Sequence, residues 1–153
     1  MAGFERLLAH LAATAAAPEV RRALQAPGWA EVPFRAEHAG IALTGRIDRL
    51  WLDADAGGFV VSDWKSDALR GRRPEQVAGE HAAQLHAYAW AAHGVLVARG
   101  RPGVVRTDVI LTEVGATVAV GGPIAQGDGS VTGLLELAAA TSAVPWSVVE
   151  RAA

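Results

Sequence analysis

Cysteine is absent from the 153-residue chain, which excludes a disulfide framework, a thiolate nucleophile, a cysteine zinc site and a cysteine-held iron–sulfur cluster. A metal would have only oxygen and imidazole to rest on. Long apolar runs are lacking too: Arg, Gly or Asp interrupts each stretch well before the ~18 residues a membrane span needs. The N-terminus has neither the basic start nor the apolar core of a signal peptide, so the expected setting is cytoplasmic, with no membrane partner. Net charge is only −2, and no global field draws the chain toward nucleic acid or anionic lipid. Lysine is nearly missing: Lys65 stands alone against 13 arginines. A compact ammonium suits a place beside a small anion or water where a planar guanidinium fits poorly; a chance location is the plain alternative.

What is present describes a folded domain. Apolar residues make up 51% and charged residues 20%, a balance that fits neither a disordered tail nor a charged filament. The length suits one domain over residues 1–153. Apolar spacing and propensity predict a helix over residues 4–25 that Pro18 splits, then a short strand over 31–35 at a sheet edge because of Pro33. A hairpin follows, with strands over 41–53 and 58–66 around a turn-rich segment. A long helix over 75–97, a second hairpin over 105–114 and 117–120, and a last helix over 131–141 complete the order. This is an α/β (α+β) pattern, a sheet of about five strands flanked by helices.

The first hairpin carries the chemistry. If its turn closes symmetrically, with Asp53 facing Gly58, then Asp48 faces Asp63, Leu50 faces Val61, Leu52 faces Phe59 and Arg46 faces Lys65. Alternation along the strands puts Asp48, Leu50 and Leu52 on one face with Phe59, Val61, Asp63 and Lys65. Facing carboxylates ~5 Å apart repel by about 3 kcal/mol at an effective dielectric of about 20, a large fraction of a domain's stability. Either the adjacent cations Arg46 and Lys65 relieve that repulsion, as a surface charge ladder, or a divalent metal bridges the acids. Hard oxygen ligands suit Mg²⁺ or Mn²⁺, which commonly take one or two carboxylates together with water and phosphate. Spacing leaves both readings open, since a slip of one residue would change Asp48's partner.

Gly45-Arg46-Ile47-Asp48-Arg49-Leu50 followed by Val60-Val61-Ser62-Asp63-Trp64-Lys65-Ser66 resembles the core of the PD-(D/E)xK nuclease superfamily. The likeness is closer to its RecB-like branch, found at the C-terminus of the helicase–nuclease subunits RecB and AddA. Gln84-Leu85-His86-Ala87-Tyr88 is similar to that branch's Gln-x-x-x-Tyr motif, and Glu31-Val32-Pro33-Phe34 resembles its upstream strand. The resemblance implies a restriction-endonuclease-like fold. It further implies that Asp48, Asp63 and the main-chain carbonyl of Trp64 hold Mg²⁺ or Mn²⁺, while Lys65 orients or activates the attacking water and steadies charge on the phosphate. Gln84 and Tyr88, four apart on a helix, would contact nucleic acid or position waters. Arg46, and Arg72 and Arg73 in the loop Arg70-Gly71-Arg72-Arg73 just after the second strand of the hairpin, are candidates for holding phosphates; a solvated loop is the plain alternative for Arg70 to Arg73.

One part of the family pattern is missing. The RecB-like Gly-x-x-x-His is not matched by Gly3 to His10, and His38, His81, His86 and His93 lack metal-ligand spacing. Two explanations stay open: a piece of a longer helicase–nuclease, or an impaired relative. The implied activity is metal-dependent cleavage of DNA, single-stranded or at duplex ends, in recombination and repair with a helicase partner. A DNA-holding scaffold that no longer cuts is the alternative.

Overall fold

The computed structural model describes residues 2–38, 40–125, 132–135 and 141–142. The N-terminal helical stretch is two helices, α1 (Ala2–Ala16) and α2 (Pro18–Gln25). Pro18 opens the second at its first turn, where its missing N–H costs nothing and its φ is already helical. Then come β1 (Gly28–His38), β2 (Ile41–Asp53), β3 (Gly58–Lys65), α3 (Pro74–Gly79), α4 (Ala82–Ala98), β4 (Val104–Leu111) and β5 (Ala116–Gly121). Two short strands, β6 (Thr132–Leu135) and β7 (Thr141–Ser142), complete the described chain.

The sheet runs β5-β4-β3-β2-β1-β6, with β7 also on β1. Only the β3–β4 pair is parallel among the described strands, and its crossover passes through α3 and α4. The fold is therefore α/β, a mixed sheet flanked by helices in the restriction-endonuclease-like manner. Three expectations need correction. The helix foreseen over 131–141 is strand at 132–135 and 141–142, with residues 131 and 136–140 outside the described set. The outer side of β1 offers unpaired backbone groups, and pairing with them outweighs local helix propensity. For the same reason β1 is no edge strand. Pro33 is tolerated because β6 ends opposite Phe34 and β7 covers only Trp29 and Ala30, so no described outer partner needs its missing N–H. Third, the helix foreseen over 75–97 is broken between Gly79 and Ala82, which lets α4 take its own direction across the sheet.

One face of the sheet buries Trp29, Phe34, Leu50, Phe59 and Val61 against Ala89, Ala92, Val95 and Leu96 of α4. On the opposite face Trp51 and Val60 meet Ala23 of α2. Arg49, 1% exposed, lies on that face too. Its Nε donates to Ala23 O at 2.9 Å and its Nη2 to Ala26 O at 2.6 Å, satisfying carbonyls that the end of α2 would otherwise leave unpaired. Burial lowers its pKa to about 10, still charged at neutral pH.

Strict alternation fails at one level. Trp29 and Val32 are three apart, as are Ile47 and Leu50, yet all four pack in the α4-side core. The β1–β2 ladder passes from Ala30↔Arg49 to Val32↔Ile47, stepping over Glu31 and Asp48, and Glu31 adopts φ 56°. Both strands thus change phase at the same level while the register between them is kept. Arg46, expected opposite Lys65, falls on the other face and pairs with Glu31 Oε2 at 3.0 Å.

Candidate active site

The β2–β3 ladder has the register of a symmetric turn, from Asp53↔Gly58 to Arg49↔Ser62, and it stops one step before Asp48 and Asp63. There the Asp48 side chain replaces a strand partner: its Oδ2 accepts the Trp64 N–H at 2.9 Å. The break in the ladder at Asp48 leaves this carboxylate bonded to the backbone of β3. It lies close enough to the Asp63 carboxylate for the two acids to act on each other electrostatically. The Trp64 carbonyl leaves the strand on the same side as its N–H, beside Asp48.

Asp63 is 5% exposed and Lys65 is half-buried. Lys65 Nζ lies 2.8 Å from the buried Asp63 Oδ2, a close ion pair. Burial pulls the lysine down, but Asp63, with Asp48 and Asp67 beyond it, more than offsets this and holds its ammonium form above the usual range. Asp48 is raised as well, which for an acid disfavours the charged form. Burial raises its carboxyl from 3.8 to about 6; the Trp64 N–H opposes the rise, and Asp63 and Glu31 add to it. Two acids and a cation are therefore packed where the acids would be better neutralised than they are.

α4 closes the site from above. Gln84 Oε1 lies 3.4 Å from Lys65 Nζ, and Gln84 Nε2 donates to the Tyr88 hydroxyl at 3.0 Å. Tyr88 packs edge-on against Phe34, with ring centroids 5.0 Å apart. Gly45 makes room for both rings, since a Cβ there would come within 2.8 Å of Phe34 and 3.2 Å of Tyr88. Asp48, Asp63, Trp64, Lys65, Gln84 and Tyr88 are thus brought together. Arg46, Arg72 and Arg73 are not part of that cluster. Arg46 is held by Glu31, Arg72 by Glu80 and the Leu69 carbonyl, and Arg73 starts α3, its N–H donating to Gln76 Oε1 at 3.0 Å.

Two features escaped the sequence reading. Glu31 reaches the rim of the site only because β1 pairs with β2. His81, whose Nε2 is 3.0 Å from Asp67 Oδ2, stands three residues before Gln84, a helical spacing that was the one available signal.

Among the described residues no group of three or more His, Asp or Glu side chains could hold a metal ion. His10 therefore brings no third side-chain ligand to the acid pair. The donor set that remains, two carboxylates and a main-chain carbonyl, fits a hard cation that completes its shell with water and phosphate. It does not fit zinc, which prefers nitrogen and sulfur. A family model of the PD-(D/E)XK nuclease superfamily matches residues 2–131. Searches of curated proteins and of solved structures gave no match. With that match spanning α1 through β5 and enclosing the acid pair, the lysine and the Gln84–Tyr88 face, the chain belongs to the PD-(D/E)XK nuclease superfamily.

Proposed function

We propose that this chain is a nuclease domain of RecB type. In this reading it hydrolyses DNA phosphodiesters with Mg²⁺ or Mn²⁺ in the cytoplasm, during recombination or repair, alongside a helicase. The observation that carries the reading is the meeting of Asp48 and Asp63 beside Lys65, whose Nζ lies 2.8 Å from the buried Asp63 Oδ2. A divalent cation, when bound, supplies Lewis-acid polarisation of the phosphate and a hydroxide near neutral pH. Asp48, Asp63 and the Trp64 carbonyl would hold it. An ion there would also relieve the repulsion that raises the Asp48 carboxyl.

The chain's own residues divide the remaining work. Lys65, kept protonated by its acidic neighbours, is a donor and a positive charge, suited to orienting water and to stabilising negative charge as it develops on the phosphate. It is poorly suited to acting as a base in this state. Gln84 limits where the ammonium can go, and Tyr88 limits Gln84. In Mn²⁺ or Mg²⁺ the protein should cut single-stranded DNA, and Asp63→Ala or Lys65→Ala should abolish cutting in a gel assay. Cleavage at the unaltered rate in either variant removes the assignment.

The absence of a third side-chain ligand from α1 favours a second reading, a scaffold that holds DNA without cutting. Titration calorimetry with Mn²⁺ separates the two. A nuclease site binds the ion in a manner that depends on Asp48 and Asp63, whereas a scaffold shows no such dependence.

A further inference from the structure

Resting on the nuclease reading, we propose that His81, held by Asp67, is a substrate-contacting residue that takes the DNA phosphate adjoining the scissile one. His81, Gln84 and Tyr88 follow at helical spacings that put them on one face at the start of α4. The chain leaving β3 meets that face twice. Lys65 reaches Gln84 at 3.4 Å, and two residues later Asp67 reaches His81 at 3.0 Å. Asp67 also lies near enough to Lys65 to favour its ammonium form, so the second contact borders the first.

Three residues of helix advance about 4.5 Å. That displacement lets His81 reach past the phosphate that Lys65 serves. It is on the scale of one nucleotide step, about 3.4 Å along a stacked strand and longer in an extended one. The imidazole plays no evident structural part, for it stands at the N-cap of α4 yet makes no side-chain capping bond. It remains accessible, with 21% of its side chain exposed. Asp67 engages Nε2, which leaves Nδ1 for a ligand, and an imidazolium between carboxylate and phosphate donates to both. The acid thereby aims the ring.

The test is binding of a fluorescent twelve-residue thymidine oligonucleotide, followed by anisotropy at pH 6.0 in Ca²⁺ over a series of NaCl concentrations. His81→Ala should weaken binding about tenfold, the effect of one charge-assisted contact. It should also reduce the slope of log Kd against log salt by about 0.7, the value for one phosphate contact on a single strand. His81→Gln, which keeps a donor for Asp67, should behave alike, and Asp67→Asn should lie between it and the unaltered protein. An unchanged affinity, or a weakened affinity with an unchanged salt slope, overturns the proposal. Cleavage of the same oligonucleotide in Mn²⁺ reports on the underlying reading separately. If the unaltered protein cuts while His81→Ala binds normally, only the histidine proposal falls; if it neither cuts nor binds, both fall.

Discussion

Replacing Asp48 by Asn should stabilise the metal-free protein at neutral pH while removing its function. The Asp48 carboxyl titrates at about 6 in the folded chain against an ordinary 3.8. A carboxyl raised on folding is better tolerated neutral than charged. Its favourable contribution is complete below the unfolded value and is lost as pH climbs through the folded one. Above pH 6 the ionised group therefore costs on the order of 1–3 kcal/mol of stability relative to a neutral one, once solvent screening of a partly exposed group is allowed for. Asparagine carries no charge, can still accept the Trp64 N–H and can donate to Asp63, though it gives up the charge assistance of the first bond. The net expectation at pH 7.5 is a gain of roughly 1–3 kcal/mol, or about 2–4 °C in melting temperature per kcal/mol for a domain of this size. Urea unfolding in EDTA, followed through the five tryptophans, measures it. At pH 4 the advantage should shrink to a small fraction. Added Mn²⁺ should stabilise the unaltered protein by mass action and leave Asp48→Asn unmoved. A variant that is less stable at pH 7.5, or equally displaced at both pH values, refutes the reasoning that Asp48 is held charged against its surroundings.

Other substitutions probe the supports of the site. Gly45→Ala places a Cβ 2.8 Å from Phe34 and 3.2 Å from Tyr88; the crowding should cost about 1–3 kcal/mol, and cleavage should fall as Tyr88 shifts, both readable by denaturation and a gel assay. Tyr88→Phe removes only the hydroxyl that Gln84 holds, so melting should move by a degree or two while cleavage drops severalfold; an unaltered rate would mean that Gln84 needs no anchor. Arg49→Ala strips the α2 carbonyls of their buried donors and should destabilise by roughly 2–5 kcal/mol. Because Arg49 faces away from the acids, the rate per folded molecule should be preserved.

The register of β2 on β3 was legible in the sequence because it is local. A turn rich in Asp and Gly, flanked by Leu50, Leu52, Phe59 and Val61, leaves one pairing that buries all four. That pairing brings Asp48 level with Asp63, and the i, i+2 spacing puts Lys65 beside Asp63. The split at Pro18 was equally local, and the family likeness rested on short motifs in a fixed order. What the alternation rule missed was the change of phase at Asp48. It depends on Glu31, which lies on a different strand, and it moved Arg46 from Lys65 to Glu31 and turned Asp48 toward the Trp64 N–H.

The C-terminal segment went the other way. Leu134, Leu135 and the residues after them have helix-favouring composition, yet what residues 132–135 meet is the open side of β1, and unpaired backbone groups outweigh a few tenths of a kcal/mol of propensity per residue. The sequence alone thus aligned Asp48, Asp63 and Lys65 along one hairpin and Gln84 with Tyr88 on one helix, because spacing within each element is enough, but it did not separate these from Arg46, Arg72 and Arg73. The tertiary structure alone decided how the carboxylates are aimed, how far their charge is tolerated and which arginines are already engaged elsewhere, because burial and pairing between distant segments set those quantities.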